Sequence, residues 1–287
     1  MRILIAGCGD VGTALGLRLT AEGHEVFGLR RRSEALPEPL HRLRGDLTEP
    51  ATLAALPARL DVVVYSAAAG AFDEAAYEAV YVRGLSHLVD ALHREGQRPR
   101  RLLYVSSTGV YGQSDGSWVD EDSDTEPAHF SGRCLLAGEA RALDAGIPGC
   151  VVRFGGIYGP GRTRLMQRVR EGARCIDQPP VWTNRIHRDD CAGVLRHLAG
   201  RETVAPVYLA VDCEPSPECA VMDWIAERLG RPHPPRVSAQ SAGSGRRRAN
   251  KRCRNARLLA SGYRFRYPTF REGYAQVLAY NQDQKVN

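Results

Sequence analysis

Apolar and polar positions along the chain alternate between two periods, short apolar runs and longer stretches at helical spacing. Arg2 to Ala6 is a short run that would be buried on both faces. Val11, Ala14, Leu15 and Leu19 then recur at helical spacing, and Gly23 closes that segment. Further strand-like runs fall at His24 to Leu29, at Leu43-Arg44, at Asp61 to Tyr65, at Arg101 to Ser106 and at Gly149 to Phe154. Ala75 to Arg94 has the length and period of one long helix. Strand and helix in strict alternation predict an α/β fold with a doubly wound parallel Rossmann sheet.

From Gly155 onward proline, glycine and arginine become frequent and the predicted elements shorten. Helices are expected at Arg164 to Gly172, Asp189 to Ala199, Ala220 to Leu229 and Arg271 to Tyr280, with a strand at Val207 to Ala210. Arg231 to Gly245, rich in Pro, Ser and Gly, reads as a loop or flap. The expected organisation is a dinucleotide-binding domain over 1–154 with a return segment at about 184–212. Residues 155–183 and 213–287 would form a small, discontinuous C-terminal substrate lobe.

Composition narrows the class. The chain has 287 residues, 43% hydrophobic and 25% charged, the balance of an ordinary globular protein. No apolar run approaches the roughly 18 residues that cross a bilayer, and a strand starting at Arg2 leaves no room for a leader. The expectation is a cytoplasmic protein without a membrane partner. The eight cysteines show no metal-ligand spacing, so neither a metal nor a structural disulfide is expected. The net charge is +6, yet only Lys251 and Lys285 are lysines. Arginine spread over the whole chain reads as a compositional habit rather than a nucleic-acid face.

The run Gly7-Cys8-Gly9-Asp10-Val11-Gly12 directly follows a buried strand and opens a helix. That context gives the glycine spacing meaning. Gly7 permits the tight turn, Gly9 lets a pyrophosphate approach the backbone, and Gly12 lets helix and sheet pack closely. The helix start, with Asp10 and Val11, then offers unpaired N–H groups and a favourable dipole. The second strand ends Leu29-Arg30-Arg31-Arg32, where a carboxylate would select NAD by repelling a 2′-phosphate. Guanidinium groups at Arg30 and Arg31 suit that phosphate instead. NADP is therefore preferred over NAD, the plainer alternative being an arginine-rich surface turn.

Further segments add to this loop. They are Gly45-Asp46-Leu47, Tyr65-Ser66-Ala67-Ala68, Val105-Ser106-Ser107-Thr108-Gly109-Val110-Tyr111-Gly112, Arg153 to Gly161, and Asn184 to Asp190. In order and spacing they resemble the extended short-chain dehydrogenase/reductases, the NAD-dependent epimerase/dehydratase family, over nearly the whole chain. The resemblance implies that Asp46 and Leu47 meet the adenine. It also implies that Ser66, Ala67, Ala68, Ser106, Phe154, Gly155, Gly156 and Ile157 line the cofactor.

That family works with a tyrosine and a lysine four residues later, helped by a serine or threonine. The matching stretch here, Ala128 to Glu139, contains neither. Counting back from Glu139 places the tyrosine position on Ser131 and the lysine position on Leu135; a one-residue slip gives Phe130 and Cys134. No tyrosine lies between Tyr111 and Tyr158, and no lysine precedes Lys251. What remains is Ser107, with Tyr111 one helical turn beyond. A tyrosine titrating near 10 needs a cationic partner to act as a base at neutral pH. Arg133 would supply charge but cannot relay a proton. The plainer reading of Ser107 and Tyr111 is loop structure without chemistry. This combination, with the run Asn250 to Asn255 and Arg271-Glu272-Gly273-Tyr274, is similar to the atypical group of the family, the YeeZ-like proteins.

Six basic residues crowd into Arg246 to Arg254. They read either as an anion clamp for substrate, with Lys251 and Arg252 as contacts, or as a solvated loop. No aromatic residue interleaves them, which argues against nucleic acid. Arg162 and Arg164 are further substrate candidates. His187 and Asp190 read as fixing a helix start, and Asp120 to Asp124 as a solvated acidic loop. The readings are an NADP-dependent oxidoreductase or epimerase-like enzyme acting, as monomer or homodimer, on an anionic, sugar-like small molecule, or a non-catalytic NAD(P) sensor. Nucleic-acid binding is the weaker third.

Overall fold

The computed structural model describes residues 1–241 and 249–286. The chain opens with β1 (Arg2–Ala6), α1 (Asp10–Ala21), β2 (Glu25–Arg30), β3 (His41–Arg44) and β4 (Val62–Tyr65). Next come α2 (Glu74–Glu78), a turn of π-helix (Ala79–Arg83), α3 (Gly84–Arg94) and β5 (Arg101–Ser107). After the short β6 (Trp118–Val119) follow α4 (Phe130–Leu143), β7 (Gly149–Phe154), β8 (Gly156–Tyr158) and α5 (Arg164–Arg170). Then come β9 (Cys175–Gln178), β10 (Trp182–Thr183), β11 (Arg185–His187), α6 (Arg188–Gly200) and β12 (Val207–Ala210). The last elements are β13 (Ser216–Pro217), α7 (Glu218–Arg228), β14 (Arg236–Ser238), β15 (Arg252–Cys253), α8 (Ala256–Ala260) and α9 (Phe270–Val286).

Seven strands form one parallel sheet in the order β12-β7-β5-β4-β1-β2-β3. β4 and β7 are apolar runs buried along nearly their whole length, as a sheet covered on both faces requires. β3 is the exception. Its sequence His-Arg-Leu-Arg is mostly exposed because it lies at the sheet edge, which is why the apolar pattern marked only its last two residues. The strand order reverses between β1 and β4, the point at which such sheets leave a crevice. No helix among the described residues is long and apolar enough to cross a membrane.

Two compact units divide the chain. The first comprises Met1–Tyr111, Thr125–Arg153 and Cys191–Tyr208. The second comprises Gly112–Asp124, Phe154–Asp190 and the described part of Leu209–Asn287. Cys191–Tyr208 thus falls in the first unit and 112–124 in the second.

In the first unit the predicted helix Ala75 to Arg94 is broken by its π-turn, for a reason supplied by two neighbouring strands. Tyr65 of β4 and Tyr104 of β5 face each other in register and stack at 5.7 Å. Tyr65 donates its hydroxyl to the Val80 carbonyl, and Tyr104 to the Tyr81 carbonyl at 3.1 Å. The widened turn thereby has its carbonyls satisfied from the sheet. Gly138 of α4 makes room, since a Cβ there would lie 2.1 Å from the Tyr104 hydroxyl and 2.4 Å from the Tyr81 oxygen.

The second unit has its own apolar cluster, including Met166, Val169, Met222, Ile225, Phe270 and Val277. Here the expectation of unpaired cysteines is corrected: Cys175 and Cys219 form a disulfide, with Cα atoms 5.5 Å apart. Their separation of 44 residues hid the pairing, which exists because β9 and α7 pack together in this cluster. The acidic loop is also corrected at one residue. Glu121 is half-buried with its side chain only 3% exposed, accepts from the Leu209 amide at 2.9 Å and lies 3.9 Å from Arg257, with burial raising its carboxyl above the usual range. Deeper still, Asp212 accepts from the Glu214 amide at 3.3 Å through Oδ1, while its Oδ2 and the Tyr158 hydroxyl have no partner among the described residues. Burial dominates and lifts the Asp212 carboxyl to about 8, against weaker opposing effects of the Glu214 amide and Arg185.

Gly138→Ala should destabilise the protein by about 1–3 kcal/mol through overpacking, and adding Tyr104→Phe should recover part of that loss in thermal melts. The second expectation concerns pH. Asp212 binds its proton more tightly folded than unfolded, where it titrates near about 3.9. Its contribution is therefore complete below that value and is lost as pH rises towards about 8. The melting temperature of Asp212→Asn should vary less than that of the parent across this window and exceed it above the window. Parallel curves would refute the assignment.

Candidate functional site

The site is built first from the turn between β1 and α1. Gly7 has φ +80°, and a Cβ on it would lie 2.4 Å from the Ala67 Cα and 2.5 Å from the Ala67 nitrogen. Nothing but glycine fits. The Ser66 hydroxyl donates to the Gly7 carbonyl at 3.2 Å, tying the two loops at the strand-order reversal. Gly12 is packed as well, its missing Cβ standing 3.0 Å from Ile5. Gly9 differs. It is exposed, and a Cβ there would meet only the Gly7 oxygen at 3.9 Å, so protein packing does not account for the glycine. A ligand approaching the backbone would, and a dinucleotide pyrophosphate fits this cradle.

Beneath the loop Cys8 is fully buried and wedged against Gly12 and Gly28; burial pushes its thiol up to about 11. No side chain caps α1, whose first helical bond runs from the Thr13 amide to the Gly9 carbonyl. The first-turn amides of Asp10, Val11 and Gly12 thus lie at the positive end of the helix. Arg30 closes β2. Arg31 extends beyond it, largely exposed, with its guanidinium 4.0 Å from Asp46. Burial opposes ionisation of Asp46, but two hydrogen bonds from Thr48 and the Arg31 charge outweigh it and hold the carboxyl below its usual range. Leu47 is buried, and its carbonyl meets the His87 ring at 2.9 Å. Ser66 and Ala67 are half-buried, and Ala68 is exposed.

At the end of β5 adjacent serines diverge. Ser106 points inward and donates to Glu139 of α4 at 2.5 Å. Ser107 is half-buried and accepts from the Gly109 amide at 3.1 Å. Tyr111 is only 2% exposed, and its hydroxyl oxygen accepts from Arg153 Nη1 at 2.7 Å. Its cationic neighbour is therefore Arg153, whereas Arg133 pairs with Glu74 at 3.4 Å. Arg153 also grips Glu139, with Nε 3.0 Å and Nη2 2.6 Å from the carboxylate. Burial works against the guanidinium charge, but these bonds to Glu139 and Tyr111 prevail and strengthen its proton affinity. Sequence reading missed this chain of four buried polar groups. The available signal was a lone charge inside the apolar run Cys150-Val151-Val152-Arg153-Phe154.

The remaining expected residues lie in the second unit. Phe154 is buried. The Gly155 amide bonds the Ala210 carbonyl at 3.2 Å, the Gly156 amide bonds the Asn184 carbonyl at 2.8 Å, and Ile157 pairs with Ile186. Arg162 and Arg164 are exposed around the start of α5. Asp190 is buried, accepting from the Tyr263 hydroxyl and the amides of Arg266 and Tyr267 at 2.8–2.9 Å. His187 is fully buried, with ring nitrogens engaged by Gln276 and the Asp189 amide. Both are parts of the scaffold.

The basic run splits. Arg246, Arg247 and Arg248 lie outside the described residues. Lys251 is buried, which holds its ammonium below the ordinary range, and the Arg252 guanidinium carbon lies 5.0 Å from the ring centroids of Trp118 and Trp182.

Comparison with known proteins places these features in context. The NAD dependent epimerase/dehydratase family model matches residues 3–190. The chain is 34% identical over 170 residues to dTDP-6-deoxy-L-talose 4-dehydrogenase (NAD(P)(+)) of Kitasatospora kifunensis. That match covers 55% of this chain and 53% of the relative, so it spans about half the relative's length. Protein YeeZ of Escherichia coli strain K12 is 25% identical over 93% of this chain and 96% of its own. A solved structure described as an NAD-dependent epimerase/dehydratase, from Methylobacillus flagellatus, gives a TM-score of 0.80 at 38% identity, covering 98% of both chains.

Removing one partner of a buried ion pair leaves an uncompensated charge. Glu139→Ala should therefore cost about 3–5 kcal/mol in denaturant unfolding. Tyr111→Phe removes one acceptor from a charged donor and should cost about 1.5–3 kcal/mol. Equal effects would show that the network is not organised around the Arg153–Glu139 pair.

Proposed function

Because the chain belongs to the NAD dependent epimerase/dehydratase family, we propose that it binds NADP in preference to NAD. We further propose that it acts in the cytoplasm as an oxidoreductase or epimerase-like enzyme on an anionic, sugar-like small molecule. The observation carrying cofactor binding is Gly9, a glycine whose missing side chain faces open space above a helix start. The amides of Asp10, Val11 and Gly12 would hold the pyrophosphate. Asp46, kept ionised by Thr48, would meet the adenine end. A nicotinamide, when bound, supplies hydride transfer.

The preference for NADP rests on Arg30 and Arg31 at the end of β2, where no carboxylate stands to repel a 2′-phosphate. Asp46, 4.0 Å from Arg31, offsets part of that charge. A relative named as using NAD(P) on a dTDP-deoxysugar supports the substrate reading. Ser107 is the more accessible proton-handling candidate. Tyr111 has a guanidinium on its oxygen, which favours negative charge there, but it is buried. That burial, with no lysine before Lys251, favours the second reading, a non-catalytic NAD(P) sensor.

NADP at a hundred times its dissociation constant should add about 2.7 kcal/mol to stability. Arg31→Ala should weaken NADP about tenfold or more while leaving NAD nearly unchanged, since a charge-assisted phosphate contact is lost. Stabilisation by NAD but not by NADP would overturn the preference. Oxidation of the reduced cofactor with a panel of sugar acids and sugar phosphates, abolished by Ser107→Ala, would exclude the sensor; no turnover with tight binding would favour it.

A further inference from the structure

The chain has three tryptophans. Trp224 packs against the apolar cluster of the second unit, while Trp118 is 47% exposed and Trp182 half-buried. These two, 64 positions apart, flank one arginine: the Arg252 guanidinium carbon lies 5.0 Å from each ring centroid. An indole left 47% exposed beside a guanidinium that no described carboxylate pairs with calls for an explanation beyond packing.

The arrangement is rigidly made. Arg252 and Trp118 are directly paired across β15 and β6. Arg252 Nε donates to the Gly116 carbonyl at 2.7 Å, which fixes the guanidinium between the indoles. Asn250 joins the three segments, its carbonyl accepting from the Gly116 amide at 2.8 Å and its side-chain oxygen from the Trp182 amide at 2.8 Å. Gly116, at φ +84°, lets Trp182 lie against this turn, since a Cβ there would come 3.2 Å from the indole. No carboxylate among the described residues forms an ion pair with Arg252. Asp115 is near enough to feel its charge but is held chiefly by Ser117. Arg254 adds a second cation 5.3 Å from the Trp118 ring.

We propose that Trp118, Arg252 and Trp182 form a binding site for a flat aromatic ring carrying a carboxylate or phosphate. The ring stacks on the exposed Trp118 face, and the anionic group takes the Arg252 terminal nitrogens, a planar fork already oriented by two rings and a carbonyl. This goes beyond the sugar-like substrate proposed above: it keeps Arg252 as an anion contact and gives this surface an aromatic ligand of its own. Lys251 is buried and takes no part in this site as proposed.

The test is titration of the full-length protein's tryptophan fluorescence with benzoate, phenyl phosphate, benzyl alcohol and glucose 6-phosphate. The two aromatic anions should quench saturably and bind at least about tenfold more tightly than the other two, with the stronger of them identifying the group the fork prefers. Arg252→Gln should weaken the anions about tenfold or more, Arg252→Lys less, and Trp118→Leu should remove most of the quench. Equal binding of benzyl alcohol would overturn the anion contact, and equal binding of glucose 6-phosphate the flat ring. No saturable quench with any probe would overturn the site. Stabilisation by NADP, measured on the same variants, should be unchanged, so failure here is distinguishable from failure of cofactor binding.

Discussion

The structure turns on the contact between two loops, where the backbone after β1 passes so close to Ala67 that Gly7 has no room for a single added carbon. This approach sets the crevice at which the strand order reverses. It also aims the start of α1 at whatever occupies that crevice. The three glycines of the loop do different work. Gly7 and Gly12 are spent on the protein's own packing, and Gly9 leaves space that the protein does not fill. A strand-to-helix turn that merely needed to be tight would require the first two and not the third.

Behind this loop a second constraint governs the sheet. Tyr65 and Tyr104 are buried polar side chains in the middle of a parallel sheet, and each must find an acceptor. They find it in the carbonyls of the π-turn, so the helix that could have run unbroken widens there, and Gly138 opens beside it. Arg153, Glu139, Ser106 and Tyr111 solve the same problem one strand over, with a charge pair at the centre and neutral hydroxyls at both ends. The first network ties the π-turn to the strands, and the second ties α4 to them, by satisfied polar groups as well as by apolar contact.

Which features were legible in the sequence follows from how far apart their parts lie. The glycine loop is local, its strand and helix are contiguous with it, and β1 and β7 were bounded correctly from apolar runs alone. The edge strand β3 was half-hidden because an edge carries little apolar signal. The break at Ala79–Arg83 could not be read from the helix itself, since its cause sits on β4 and β5. The Cys175–Cys219 bond and the Trp118–Arg252–Trp182 stack join residues 44 and well over 60 positions apart, and no short-range pattern announces either. The basic run illustrates the point most sharply. It contains no aromatic residue in sequence, yet in the fold two indoles from elsewhere stand on either side of its central arginine.

The identity of the cations decides what chemistry remains open. Lysine can lower a phenol's affinity for its proton and also pass a proton on; arginine does only the first. In the first unit every fixed cationic side chain is arginine, because no lysine precedes Lys251. Arg153 divides its hydrogen bonds, with Nε and Nη2 on Glu139 and Nη1 on the phenol oxygen. A proton moving at this end of β5 would have to pass through a hydroxyl or water rather than through the cation. At this strand end Ser107 is the half-buried hydroxyl, while the Tyr111 oxygen is engaged by Arg153.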